Sequence, residues 1–131
     1  MFKNGSPIKV GNNNGWLQGL HVSYDTHTTF LVTSGSAYVN GKYRSVSSDT
    51  TVPQTADNPS LGTSGIDTGA ISSSTKYHVY AVADQDDVKS YSISFSENSS
   101  TPNGITSYRK IGTIKTDANS LFTSSDRDWE T

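Results

Sequence analysis

The strongest structural signal in the chain lies at residues 37–46, which read Ala-Tyr-Val-Asn-Gly-Lys-Tyr-Arg-Ser-Val. Side chains alternate in character on both sides of Asn40-Gly41, as they do in strands with one buried face. A two-residue turn between antiparallel strands needs positive φ at both central residues, and Asn-Gly tolerates this conformation. The stretch therefore predicts a β-hairpin with a type I′ turn at Asn40 and Gly41.

Further alternating runs continue outward from this hairpin in both directions. They begin at Trp16 and at Thr28 on the amino-terminal side, and they cover 75–83, 88–96 and 108–116 on the carboxy-terminal side. In the run 88–96 the serines are expected to point to solvent. No window shows the 3.6-residue apolar stripe of a helix. About seven to nine short strands predict an all-β protein, either an antiparallel β-sandwich or a jelly-roll-like barrel, with long polar loops and extended termini.

Polar segments divide the chain into an arm, one domain and a tail. Residues 1–15 are rich in Gly and Asn and fit either an arm ordered against a neighbour or a disordered end. Residues 16–122 hold the alternating runs and form the predicted sandwich domain. Within this domain, residues 47–65 contain two prolines and two glycines and are predicted to be a long loop. Residues 123–131 form a charged tail.

Composition excludes several classes of protein. The 131 residues include no Cys, which removes disulfides and thiolate metal sites, and no apolar run approaches the roughly 18–20 residues of a spanning helix. The ten basic residues are scattered and the net charge is −2, so neither nucleic acid nor a membrane is a predicted partner. The first residues lack the apolar core of a signal peptide. Because only 31% of residues are hydrophobic, part of the stability is expected from self-association.

No pattern for catalysis or cofactor binding stands out. Asp25 and His27 lie in a predicted turn, where an Asx turn explains Asp25 better than a catalytic or metal pair does. The acidic segment 84–87 is the best candidate for calcium, but it lacks the Gly and the closing Glu of an EF-hand, and a solvated turn explains it better. No two carboxylates stand out as a glycoside-hydrolase pair. The sequence predicts no enzyme, no cofactor and no metal site.

Aromatic residues are the best candidates for binding. The chain has seven tyrosines, more than its small core needs, and alternation places Tyr80 on the face opposite Tyr77. Exposed tyrosine is common at protein interfaces because it supplies contact area at low entropic cost. Trp129 in the tail fits either an anchor on a neighbouring subunit or a disordered end. Trp16 fits either a matching anchor for the arm or, more simply, the core. Trp16, Tyr80 and Trp129 are the predicted interface residues.

Three blocks in a fixed order resemble a module of tailed-bacteriophage virion proteins, especially tail-fibre-like ones. The blocks are residues 64–71 followed by the strand 75–82, residues 91–96 ahead of a loop with Pro102 and Gly104, and residues 108–117. In that family the first block reads Gly-Leu-Asp-Thr-Gly-Ser and the last contains Arg-Arg-Ile-Gly. Residues 34–42 also resemble a hairpin of phage fibre and baseplate proteins.

The resemblance implies a protein of the phage virion surface. Because the chain shows no coiled-coil heptads, collagen-like repeat or chaperone tail, it is more similar to a capsid decoration (cement) protein than to a long fibre. This implies a non-enzymatic homotrimer that is made in the host cytoplasm and binds the major capsid protein on the capsid exterior. The alternative is a tail-fibre or receptor-binding module that recognises a host surface glycan or protein.

Overall fold

Ten short strands form the protein in the computed structural model, which describes residues 17–55, 62–85 and 88–123. In chain order they are β1 (Leu17–Gly19), β2 (Val22–Thr26), β3 (Thr29–Val32), β4 (Gly35–Val39), β5 (Lys42–Val46), β6 (Thr50–Pro53), β7 (Gly65–Ile66), β8 (Lys76–Val82), β9 (Ser92–Ser96) and β10 (Tyr108–Lys115). These described ranges contain no helix. The all-β prediction is confirmed.

The predicted hairpin at residues 37–46 is confirmed as β4 and β5. Val39 pairs with Lys42 across the turn, and Asn40 and Gly41 have φ values of 51° and 83°. Both central residues therefore lie in the left-handed region that a type I′ turn requires. Local sequence alone determines this part of the fold.

The strands form three sheets. β4 lies between β1 and β5, β3 lies between β2 and β6, and the largest sheet has the order β10-β8-β9-β7. Antiparallel pairing of β8 with β9 confirms that the runs at 75–83 and 88–96 are neighbours. β7 runs parallel to β9, whereas every other pair of strands is antiparallel.

The sheet β2-β3-β6 packs face to face on the inner side of the largest sheet. Phe30 on β3 meets Phe95 and Phe122 edge-on, with ring centroids 5.5 and 5.3 Å apart, and Tyr77 meets Phe95 at 5.2 Å. Val39 on the inner side of β4 joins the same core. The architecture is an antiparallel β-sandwich, one of the two predicted forms. The three sheets of the described residues stay open, so the barrel prediction is wrong.

The alternating run ahead of residue 25 is two strands rather than one. Gly19 and Leu20 have φ values of 78° and 56°, and the chain leaves β1 in one sheet to enter β2 in another. Leu20 is 2% exposed, so burial of its side chain offsets the strain of its left-handed backbone. A Cβ at position 19 would meet the backbone carbonyl of Ser34. Glycine is therefore needed where β1 approaches β4.

Residues 50–53 form a strand where the sequence predicts a loop. β6 pairs antiparallel with β3, and Val52, opposite Phe30, is fully buried. Pro53 is compatible with this strand because β6 is at the edge of its sheet, where a missing amide donor is tolerated. The prediction of a long loop over 47–65 is wrong at these residues, since packing on β3 outweighs the loop-like composition around them.

The outer face of the largest sheet is covered by the segment between β9 and β10. Ser92, Ser94 and Ser96 point to this face and are at most 5% exposed. The prediction that these serines point to solvent is therefore wrong. Residues 97–107, the covering segment, fold back over them and bury Ile105 to 8% exposure. The small serine side chains leave room for that segment.

Two carboxylates hold the covering segment in place. Asp84, just after β8, accepts the amide protons of Thr106 and Ser107 at 3.0 and 2.5 Å. Asp67, just after β7, accepts the amide proton of Asn103 at 2.8 Å. Because β7 runs parallel to β9 and β8 runs antiparallel to it, these two carboxylates lie toward opposite ends of the sheet. The second half of the segment is thus held at two places, Asn103 by Asp67 and Thr106 and Ser107 by Asp84.

Candidate functional site

Two exposed tyrosines lie on the outer face of the sheet β1-β4-β5. Tyr38 and Tyr43 are 39% and 53% exposed, and their ring centroids lie 5.6 Å apart with the planes 69° to each other. Cross-strand register places Ser36 and Ser45 beside them on the same face, with Gln18 next on β1. We refer to these five residues as the tyrosine face. It combines two large exposed rings with bordering polar groups, a composition that is common at protein interfaces.

The inner side of the hairpin is anchored to the rest of the sandwich. Lys42 donates from Nζ to the carbonyl oxygen of Ala83 at 3.1 Å, and Arg109 donates to the carbonyl oxygen of Tyr38 at 3.3 Å. Arg44 points inward, is only 3% exposed and donates to a backbone carbonyl of the segment ahead of β9. The hairpin is therefore held rigidly while its outer face stays open.

Tyr80 is not part of an exposed surface. It is 1% exposed, its ring meets Tyr108 edge-on at 5.6 Å, and its hydroxyl donates to the Asn98 carbonyl at 2.7 Å. Burial above all, then the nearby Tyr108 and Asp67, raises the pKa of Tyr80 above 10.0. The prediction that Tyr80 is an exposed interface residue is wrong. Alternation does place it opposite Tyr77, but the covering segment closes that face.

The other two predicted interface residues, Trp16 and Trp129, lie outside the described residues. The same is true of the arm 1–15 and of residues 124–131 of the tail. The interface roles of both tryptophans, and the arm and tail boundaries, stay predictions.

The tyrosine face follows from the hairpin itself. In a hairpin with a two-residue turn, residues at equal distance from the turn pair directly. Tyr38 and Tyr43 are each two positions away from Asn40-Gly41, so they face each other. Val39 points into the core and fixes which side is outside. Sequence alternation predicts that Tyr80 is exposed as well, because it indicates only the direction of a side chain and not which segment covers that side chain.

The residues considered for chemistry hold loops together. Asp25 accepts the Thr29 hydroxyl proton at 2.9 Å, whereas Nδ1 of His27 lies 3.3 Å from the Tyr24 hydroxyl. Asp117 accepts two backbone amides of its own turn at 2.8 and 3.0 Å, and chiefly these bonds lower its pKa. Each of these side chains therefore has a local partner of its own.

The segment considered for calcium also has a structural role. Of residues 84–87, Asp84 is committed to the amides of the covering segment, while residues 86–87 lie outside the described part of the chain. Across the residues that the structure describes, no three His, Cys, Asp or Glu side chains form a group that could hold a metal ion.

A polar cleft of about 420 Å³ lies where β7 and β9 end and β8 begins. Its lining residues are Ile66, Asp67, Thr68, Tyr77, Glu97, Asn98 and Asn103. Parallel pairing of β7 with β9 brings Asp67 and Glu97 to this one place although they are far apart in sequence. The sequence does not predict that Asp67 and Glu97 are close, because a two-residue parallel strand is too short to show alternation.

Comparison with known proteins finds no relative. No family model, no curated protein and no solved structure matches this chain. The fold defines the chain as an antiparallel β-sandwich, and the resemblance to phage virion proteins stays a prediction. In the described ranges, no helix is long and apolar enough to cross a membrane.

Proposed function

We propose that this protein is a non-enzymatic phage virion structural protein, a capsid decoration (cement) protein that binds and stabilises the major capsid protein lattice through its tyrosine face. The Tyr38–Tyr43 pair carries the proposal, because two large rings stay open to solvent on an anchored hairpin. Single exposed apolar groups are ordinary, but aromatic residues are enriched where proteins bind one another. Tyr38 also lies in residues 34–42, the segment that resembles a hairpin of phage fibre and baseplate proteins.

The tyrosine face has the composition that a polar, reversible docking surface needs. Its two rings offer apolar area and hydroxyl groups, and few torsions are frozen when a tyrosine is covered. Ser45 and Gln18 are exposed polar residues on the same face as the rings. Because Lys42 and Arg109 already hold the hairpin in place, little further ordering is required on binding.

The hydrogen bonds of three aspartates support a structural role for these residues rather than a catalytic one. Asp67, Asp84 and Asp117 each accept backbone amide protons. A catalytic carboxylate must reach a substrate and exchange a proton with it. These three instead hold the loops that shape the sandwich.

The proposal places the protein on the capsid exterior, after synthesis in the host cytoplasm. As a homotrimer it would bury more of its limited apolar surface than one chain can, and binding only the folded state would stabilise it further. Sedimentation equilibrium of the purified protein tests the oligomer, since a trimer has three times the mass of the chain. A mass equal to one chain would contradict the trimer but would not bear on the proposed docking face.

Co-sedimentation with shells assembled from the major capsid protein tests the docking face. We expect saturable binding of the unmodified protein and about tenfold weaker binding of the Tyr38→Ala/Tyr43→Ala double variant, as for central interface aromatics. Val88→Ala is the control, because Val88 is also an exposed apolar residue, 37% exposed, but lies outside the tyrosine face. Equal binding of the double variant would contradict the docking face. No binding of any variant would favour the alternative, a tail-fibre or receptor-binding module.

A further inference from the structure

We propose that the outer edge of β10 is a docking site for the tail of the same chain, of which residues 124–131 lie outside the described part of the structure. β10 is the longest described strand, with eight residues, and it forms one edge of the largest sheet. The edge of a sheet pairs readily with another extended segment, because every second peptide group of the edge strand points away from the sheet. This inference does not depend on the capsid function proposed above.

The hydrogen bonds at the end of β10 show which peptide groups point to the outer edge. Thr116 donates its amide proton to the Thr75 carbonyl oxygen, on the β8 side, at 2.9 Å. Peptide groups alternate between the two sides of a strand, so those of Thr113 and Lys115 point away from β8. The Thr123 amide agrees with this direction, since it donates to the Lys115 carbonyl oxygen at 3.0 Å. The peptide groups of Thr113 are therefore the next that a strand on this side would meet.

The chain already enters the antiparallel register that this docking requires. Phe122 lies opposite Thr116 in an isolated antiparallel bridge, and its burial to 1% exposure holds the start of the tail in place. Continuing the same register beyond Thr123 brings Ser125 opposite Thr113. Eight residues at about 3.3 Å each extend about 26 Å, so residues 124–131 are long enough to follow β10 to its other end.

Charge and tethering favour the tail over a second copy of the same edge. β10 carries Arg109, Lys110 and Lys115 and no acidic residue. Residues 124–131 read Ser-Ser-Asp-Arg-Asp-Trp-Glu-Thr, with three acidic residues and one basic residue. Opposite charges on neighbouring strands stabilise pairing, whereas like charges oppose it. The tail is also tethered beside the edge, which raises its effective concentration there. A docked tail would cover the edge and prevent two copies from pairing through it.

Amide hydrogen exchange of the full ¹⁵N-labelled chain tests the docked tail. We expect the Thr113 amide to exchange at least about tenfold more slowly than an unpaired amide, because the Ser125 carbonyl oxygen accepts its proton. Ser125→Pro removes the amide that the register directs at the Thr113 carbonyl oxygen, and should accelerate exchange at Thr113 about tenfold. Ser124→Pro is the matched control, because the register directs that amide away from β10, where an edge strand tolerates proline.

Exchange of Thr113 at the rate of an unpaired amide in the unmodified chain would overturn the proposal, and so would equal exchange at Thr113 in the two proline variants. An equal mixture of ¹⁵N-labelled and ¹³C-labelled chains shows whose tail is docked. A nuclear Overhauser contact between Thr113 and Ser125 that appears only between differently labelled chains would contradict docking on the same chain. None of these measurements involves capsid shells, so the docked tail and the proposed function fail independently.

Discussion

Tyr38 and Tyr80 occupy equivalent places in the sequence pattern and opposite places in the structure. Each lies on an alternating antiparallel strand with its side chain on the side away from the core. Tyr38 is 39% exposed, whereas Tyr80 is 1% exposed. The hairpin β4-β5 keeps its outer face open, and the pair β8-β9 has its outer face closed by the covering segment.

The difference comes from the segment that covers Tyr80 and from the residues that hold it there. Asp84 and Asp67 fasten the covering segment over β8 and β9 through backbone amides, and Ser94 on β9 is small enough to lie beneath it. Alternation of side chains therefore predicts the two faces of a strand. Whether the outer face is exposed depends on a segment elsewhere in the chain. A docking surface has to be sought where such a cover is missing.

Truncating each tyrosine is the strongest test of this contrast. We expect Tyr80→Ala to lower the free energy of unfolding by about 3–5 kcal/mol, because it leaves a cavity under the covering segment. Tyr38→Ala should cost about 1 kcal/mol or less, because it removes only an exposed cross-strand pair. Urea denaturation followed by circular dichroism measures both. Similar losses in the two variants would show that the two faces do not differ.

Removing the Asp84 carboxylate tests whether this residue holds the covering segment in place. Asp84→Ala should lower the free energy of unfolding by about 2–3 kcal/mol, because the amides of Thr106 and Ser107 lose a charged acceptor. Asp25→Ala is the control, since that exposed carboxylate accepts a hydroxyl proton from Thr29. Amide exchange should accelerate at Thr106 and Ser107 in the first variant alone. Unchanged exchange there would mean that packing, not Asp84, holds the segment.

The hydroxyl of Tyr80 supplies a smaller, more selective test. Tyr80→Phe keeps the ring and its contact with Tyr108, but removes the bond to the Asn98 carbonyl. We expect a loss of about 1 kcal/mol in urea denaturation. Tyr43→Phe, at an exposed ring, should leave stability unchanged. If Tyr80→Phe leaves the free energy of unfolding unchanged, water replaces the hydroxyl beneath the covering segment.

His78 on the same face predicts a modest pH dependence. Burial, followed by Lys110 and Lys76, lowers the pKa of His78 below 6.5 in the folded protein. The unfolded chain therefore takes up this proton at higher pH than the folded one, so stability should fall as the pH drops below about 6.5. His78→Gln should flatten the decline between about pH 7 and pH 5.5. If stability declines with falling pH as steeply in His78→Gln as in the unmodified protein, His78 is not the origin of the decline.

Sequence predicts those parts of the fold whose signals are local. The turn at Asn40-Gly41 and the runs 75–83, 88–96 and 108–116 are marked by turn chemistry and alternation, and the structure contains a strand within each run, at Lys76–Val82, Ser92–Ser96 and Tyr108–Lys115. The strand at residues 50–53 is hidden because only its pairing with β3 favours it. Tertiary pairing of this kind outweighs local propensity.

The candidate sites divide in the same way. The tyrosine face can be derived once the hairpin is known, since Tyr38 and Tyr43 are equidistant from the turn. The polar cleft depends on a parallel pair joining β7 and β9 and on the covering segment supplying Asn103. No local pattern encodes such a long-range arrangement, so sequence alone does not bring Asp67 and Glu97 together.

The number of copies per virion tests the proposed function most directly. Quantitative mass spectrometry of purified particles gives the ratio of this protein to the major capsid protein. A decoration protein predicts hundreds of copies, close to a fixed lattice ratio. A few to a few tens of copies would contradict decoration and place the protein on the tail, and its absence from the particles would contradict a virion role altogether.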